Sequence, residues 1–244
     1  MRYLGLILWM GCTSPEVLDW APEDPWTWED SSTPEVLLSG LIQPMGLAAV
    51  SAEQFWVADE LDHRVHRIHL SGDVELTVEG LVSPRWVAAG LDWLVVAESA
   101  EDGRVLAFQG EGTSPPLELA SGAIWGQVVF DGTTFWWFED GDAVLFHWSP
   151  GDVVASSGTL ARPIQAIAAT PTGVMVATGS SKPWSIVDQA SEVQAELWEE
   201  PQQMVWGNGT LWISTRSPRW PFPGWIYRLD EGVAKVVQYS PPEP

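Results

Sequence analysis

Three glutamines, Gln127, Gln165 and Gln203, recur at a spacing of 38 residues. Each lies just inside a short apolar run: WGQVVF from Trp125, PIQAIAA from Pro163 and PQQMVWG from Pro201. The same position in PMGLAAV, from Pro44, and PRWVAAG, from Pro84, holds Gly46 and Trp86. A primary amide both donates and accepts hydrogen bonds, so a column of them at one opening suits a polar ligand. A second column ends the apolar runs that come next: Asp59, Glu98, Glu139, Thr178 and Thr215. Carboxylates are hard oxygen ligands, so Asp59, Glu98 and Glu139 form an alternative metal set for a divalent cation such as calcium. Arg85 is the one cation beside these columns. The longest loop near them, STRSPRWPFPGW, adds Trp220 and Trp225, aromatic faces suited to stacking on a sugar or peptide. The candidate ligand-binding residues are therefore Arg85, Trp86, Gln127, Gln165, Gln203, Trp220 and Trp225. The competing use of the same residues is internal: amides bonding neighbouring backbone and acids capping loops, the usual fate of buried polar groups.

Other chemistries find little footing. His63, His66 and His69 are three apart, which on a strand sets His66 against the other two. FEDGDA, from Phe138, lacks the downstream Glu of a calcium loop. There is no Gly-x-Ser-x-Gly elbow and no phosphate loop. No catalytic residue is assigned, and the reading favours a binding protein over an enzyme.

The elements that must position these residues follow a repeat. Runs starting at Pro44, Pro84, Trp125, Pro163 and Pro201 are 40, 41, 38 and 38 residues apart. Each start leads into a short strand, a tight turn (Asp-Gly and Asn-Gly among them), and a second strand such as FWVAD or WLVVAE. A third strand follows, such as RVHRIHL or RVLAFQG, and then a weaker fourth. Four short strands per forty residues, without helical periodicity, predict an all-β propeller, because one such sheet must bury both faces against its neighbours. Five blades are expected. The segment before Pro44, STPEVLLSGLIQP, matches the fourth strand before Pro84 and is expected to help close the ring; a sixth, incomplete blade containing WTW is the alternative count.

Pro44-x-Gly46-Leu47-Ala48, with WVAD at Trp56 and HRV at His63, resembles an NHL-repeat propeller unit. The second repeat keeps VAES and GRVLAF, and the other three keep only the strand spacing. The wider six-bladed superfamily includes gluconolactonase-type lactonases, lyases and interaction scaffolds, so the resemblance implies a fold and not one function. The lactonases of that group hold a metal with Glu, Asn and Asp. This chain's only Asn, Asn208, falls in a hairpin turn on the opposite rim.

The totals narrow the partners. The 244 residues carry 33 acids against 11 Lys and Arg, a formal charge of −22. That excludes a phosphate backbone or an anionic membrane surface as the natural partner. Seventeen Trp are expected to pack mostly between sheets. The N-terminal MRYLGLILWMGC sets a short apolar stretch, too short to span a bilayer, before the sole cysteine. Gly11-Cys12 resembles the lipobox of bacterial lipoproteins, which implies cleavage before Cys12, lipidation there and, with Thr13 following, an outer-membrane address. The expected organisation is a signal peptide over 1–11, an acidic Pro/Ser-rich tether over 12–33 and the propeller over 34–244. The expectation is an envelope lipoprotein that binds a small-molecule or glycan ligand or a protein, needs no cofactor and meets the membrane only through its lipid. A metal-assisted hydrolase or lactonase and a purely structural surface protein are the alternatives.

Overall fold

The computed structural model describes residues 40–110, 112, 115–181, 183–188, 193–197, 200–207, 210–216, 226–230 and 233–237. These form five four-stranded antiparallel sheets and, among the described residues, no helix. The first sheet is β1 (Pro44–Ala49), β2 (Gln54–Asp59), β3 (Arg64–His69) and β4 (Val74–Val78). The second is β5 (Pro84–Gly90), β6 (Trp93–Glu98), β7 (Gly103–Gln109) and β8 (Leu117–Ala123). The third is β9 (Val129–Phe130), β10 (Phe135–Phe138), β11 (Val144–Trp148) and β12 (Ala155–Thr159). The fourth is β13 (Ile164–Thr170), β14 (Gly173–Thr178), β15 (Trp184–Val187) and β16 (Val193–Leu197). The fifth is β17 (Glu200–Gly207), β18 (Thr210–Arg216), β19 (Ile226–Asp230) and β20 (Val233–Val237). Strands pair in chain order within every sheet, as expected of propeller blades. Of the segment expected to close the ring, residues 32–39 lie outside the described residues, as does the WTW alternative, and residues 40–43 form the loop that enters β1.

Packing explains why the second strands read as unbroken apolar runs. The second, third and fourth blades are covered on both faces, so alternate residues of one strand serve two different cores. In β6, Leu94 and Val96 pack with Trp56 and Ala58 of the first blade, while Val95 and Ala97 pack with Trp125, Trp137 and Trp148 of the third. Small residues face large ones there: Ala88, Ala97 and Ala107 leave the space that three indoles fill. Further cores join the third blade to the fourth around Phe138 and Ile167, and the fourth to the fifth around Ile186 and Met204. The outer strands emerge into solvent; four of the five residues of β12 are exposed.

The inner strands carry a feature the apolar pattern did not predict. In each blade the ladder between first and second strands loses register after its first pair, with one extra residue on the inner strand. Pro84 pairs with Glu98, but Trp86 already pairs with Ala97. Likewise Pro201 pairs with Thr215 and Gln203 with Ser214, while Ile164 pairs with Thr178 and Ala166 with Ala177. Pro44–Asp59 is followed by Leu47–Val57, and Trp125–Glu139 by Val129–Trp136. A β-bulge of this kind removes a residue from the ladder and re-aims its side chain. It also explains why the strand expected from Trp125 is reduced to the two residues of β9. Gly126 N–H turns aside to donate to the Phe138 carbonyl at 2.9 Å, and an added Cβ there would meet the Phe138 ring at 2.3 Å.

The fourth blade corrects the glutamine column. Residues just past the second strands, Glu60, Ser99, Asp140 and Gly179, donate to the carbonyls of Gln43, Ser83, Ile124 and Pro163. Pro163 is therefore equivalent to the residue before the other starts, and Ile164 is the true partner of Thr178. Gln165 stands beside Arg85 and Gln202 at the bulge. The position matching Gln127 and Gln203 is Ala166, fully buried between blades.

At the opposite end of the third blade, the turn between β9 and β10 is built on Asp131. Burial alone would push its carboxyl up. Hydrogen bonds from the Trp136 indole at 2.7 Å, the Thr133 and Thr134 amides at 2.9 and 2.8 Å, and the Thr133 hydroxyl reverse this and hold it below the usual carboxylate range. A depressed folded-state value adds stability that is complete above the unfolded carboxylate value, about pH 4, and is lost as pH falls through the folded one. The stability gap between wild type and Asp131→Asn is therefore expected to stay constant down to about pH 5 and to shrink from there towards pH 3 in urea titrations. A gap independent of pH would contradict it.

Candidate functional site

The five bulges meet at one place. A cavity of about 750 Å³ opens at the end of the inner strands, and the residue after each anchor lines it: Met45, Arg85, Gly126, Gln165 and Gln202. The next layer down, with Trp86, Gln127 and Gln203, forms its floor. Beneath lies a second cavity of about 360 Å³ between the same five strands, reached by Gly46, Trp86, Gln127 and Gln203 but by none of the bulged residues. Its deeper wall includes Val87, Val128, Ala168 and Met204. The axis thus holds two cavities in line, an upper cup and a lower chamber, each lined by polar and apolar groups alike.

Gln127 makes the partition. It is buried, its Nε2 donates to the Met204 carbonyl at 3.1 Å, and its Oε1 accepts from the Ile167 amide at 3.3 Å. One side chain from the third blade thereby ties the inner strands of the fourth and fifth. Gln165 and Gln203 reach the same cup. Arg85 and Trp86 are adjacent on β5, with the guanidinium carbon 5.7 Å from the indole centroid, within cation–π range. Five of the seven residues expected to bind ligand are brought together; Trp220 and Trp225 lie outside the described residues, as does Cys12.

The carboxylates do something else. Asp59 is buried and accepts from the Ile42 amide at 2.6 Å and the Gln43 amide at 2.8 Å, closing the loop that enters β1. Glu98 is wholly buried and accepts from the Val82 amide at 2.7 Å, the equivalent loop before β5. It is also gripped by Arg104, through Nε at 2.8 Å, Nη2 at 2.8 Å and the backbone amide at 3.1 Å. That contact raises the Arg104 pKa, the hydrogen bond to Glu98 outweighing burial. Both carboxylates are thus engaged by loop amides of their own blades. Glu139 is only half-buried, and its backbone bridges to Trp125. Among the described residues no three His, Cys, Asp or Glu gather as a metal-ligand set. The histidines make local contacts: His66 with Thr77, His69 with Ser71, and His63, at positive φ, with the Ser83 amide.

Arg104 was not among the residues picked out from the sequence. The signal was present: GRV after Glu98 mirrors HRV after Asp59, and a tight loop between an acid and an arginine makes hairpin partners of them. The copies differ, however. Arg64 turns outward to Asp62 and Glu79 instead of to Asp59.

No protein-family model matches this chain, and no curated protein is similar to it in sequence. Solved structures do resemble it. A chain of a nidogen/laminin complex superposes with a TM-score of 0.64 at 14% identity, covering 80% of this chain and 78% of that one. Virginiamycin B lyase from Staphylococcus aureus gives 0.62 at 12%, covering 80% and 70%. A gluconolactonase from Xanthomonas campestris gives 0.60 at 16%, covering 82% and 77%. At such identities the likeness speaks to architecture alone. With five stacked antiparallel sheets around a shared cavity and these neighbours, the chain is a β-propeller.

Proposed function

We propose that this chain is an envelope lipoprotein whose propeller, of NHL-like repeats, binds a small polar ligand in the cup at the head of its axis without transforming it. The observation that carries the reading is convergence: all five inner strands supply lining to one cavity of about 750 Å³, within the roughly 300–1,000 Å³ range of small-molecule sites. The lining mixes amides, one guanidinium, the indoles of Trp86 and Trp125 and the carboxylates of Asp140 and Glu200, groups that orient a ligand. Two of the three carboxylates a metal-assisted hydrolase would use, Asp59 and Glu98, are engaged by loop amides, which weighs against the lactonase alternative. Structural neighbours that include a lyase, a gluconolactonase and a nidogen/laminin complex argue that the fold leaves function open. The address rests on Gly11-Cys12 after the apolar N-terminal stretch, with 12–33 as tether and 34–244 as body.

Two measurements test the proposal. Thermal-shift screening of the full chain against envelope-derived small molecules should give a hit, and Met45→Trp, which fills the cup from the first bulge, should abolish that shift while leaving the unliganded melting temperature within a few degrees. A hit untouched by Met45→Trp would move the site elsewhere. Mass spectrometry of the protein from a membrane fraction should show an acylated N-terminus at Cys12; an unmodified Met1 would remove the anchor.

A further inference from the structure

We infer that the cup selects a ligand bearing a single carboxylate, with Arg85 as the group that recognises it; the inference rests on the cup being a binding site. The argument begins with the other arginines. Arg64 pairs with Asp62 and Glu79, Arg67 with Glu75, and Arg104 with Glu98, while Arg162 donates to the Pro183 carbonyl. Arg85 alone among the arginines with described side chains makes no hydrogen bond or ion pair, and its Nε is buried without a partner. In a chain with 33 carboxylates to 11 basic residues, a guanidinium without an acid runs against the composition. A guanidinium that lines the cup without an acid beside it has an external anion as its natural partner.

The geometry says what kind. Trp86 lies against the guanidinium and Nε is buried, which leaves the edge formed by the two Nη groups for a partner. That planar edge matches the two oxygens of a carboxylate. Arg85 is a bulged residue, released from the ladder into the cup. Around it, Gln165, Gln202 and Gln203 supply amides that pair with hydroxyl or amide groups. Asp140 and Glu200 also line the cup, which disfavours phosphates and polyanions and limits the ligand to one negative charge. The −22 overall charge opposes any anion at long range, but its reach is screened beyond about 8 Å at physiological salt. The ligand class is therefore a compact monocarboxylate whose remaining groups are hydroxyls or amides. A sugar acid and the free C-terminus of a short peptide both present that chemistry.

Isothermal calorimetry on the full chain with two matched pairs separates these sources and tests the inference. The pairs are glucuronate with glucose, and N-acetyl-glycylglycine with its C-terminal amide. The acid member of one pair should bind at least about tenfold tighter than its neutral twin, as a charge-assisted bidentate contact requires, and the pair that responds identifies the source. Arg85→Gln should erase the preference and Arg85→Lys should retain part of it, with urea midpoints confirming that both variants fold. Equal binding of acid and neutral members, or a preference that survives Arg85→Gln, overturns the carboxylate and leaves the cup reading standing. Binding by none of the four also overturns it, and the cup reading then depends on the Met45→Trp result.

Discussion

Arg104→Ala is expected to lower the unfolding free energy by about 2–4 kcal/mol. Glu98 is wholly buried, and two of its contacts come from the Arg104 guanidinium. Removing one member of a buried pair strands the other, which costs roughly 3–5 kcal/mol. The lower end applies because the Arg104 side chain is 30% exposed and water can enter where it was. The damage should spread towards the cup. Glu98 holds the Val82 amide, and that loop leads directly into the strand carrying Arg85 and Trp86. Hydrogen exchange should therefore quicken at Val82 and Arg104 together. The double variant Glu98→Leu/Arg104→Leu should recover part of the loss, since replacing both partners removes the stranded charge. A loss under about 1 kcal/mol for Arg104→Ala would show that the pair is no more than an exposed contact.

Gly46→Ala should cost about 1–3 kcal/mol and weaken any ligand of the cup by more than Gly-to-Ala changes at open turns such as Gly132 or Gly151. An added Cβ at Gly46 would stand 2.6 Å from the Arg85 carbonyl oxygen and 3.0 Å from Trp86 Cα and Val87 N. All three are backbone atoms, so no rotamer change relieves the clash; the first two inner strands must part. Overpacking in a fitted core carries a penalty of this size. Because the displaced backbone is that of Arg85 and Trp86, stability and binding should fall together. Unchanged urea midpoints for Gly46→Ala would mean the blades slide apart freely, contrary to the packing around Trp56 and Val87.

Gly46 also shows what the sequence made legible. Its place in Pro44-x-Gly46-Leu47-Ala48 was readable as part of a repeat, and the five starts lead into the five sheets observed. Strand count and order came from apolar runs and turns, which are local properties. The steric reason for Gly46 was not readable, since it depends on a strand forty residues away. The bulges were hidden for a related reason: one extra residue looks like ordinary variation in the length of a run. That is why Gln165 was placed level with Gln127 and Gln203, anchored by a proline that stands one position earlier than its counterparts. Asp59 and Glu98 were legible as special but not as loop ties, because a carboxylate's amide partners are invisible until the chain turns back on itself. Arg104 escaped for the same cause, its worth lying wholly in what it meets.

The break in every ladder has a consequence for how such a molecule changes over time. A residue outside the pairing pattern can be exchanged without shifting the strand that bears it, and Met45, Arg85, Gln165 and Gln202 each belong to a different blade. Chemistry at the head of the axis can therefore drift one letter at a time while the architecture stays still, much as the pins of a lock are recut without rebuilding the cylinder.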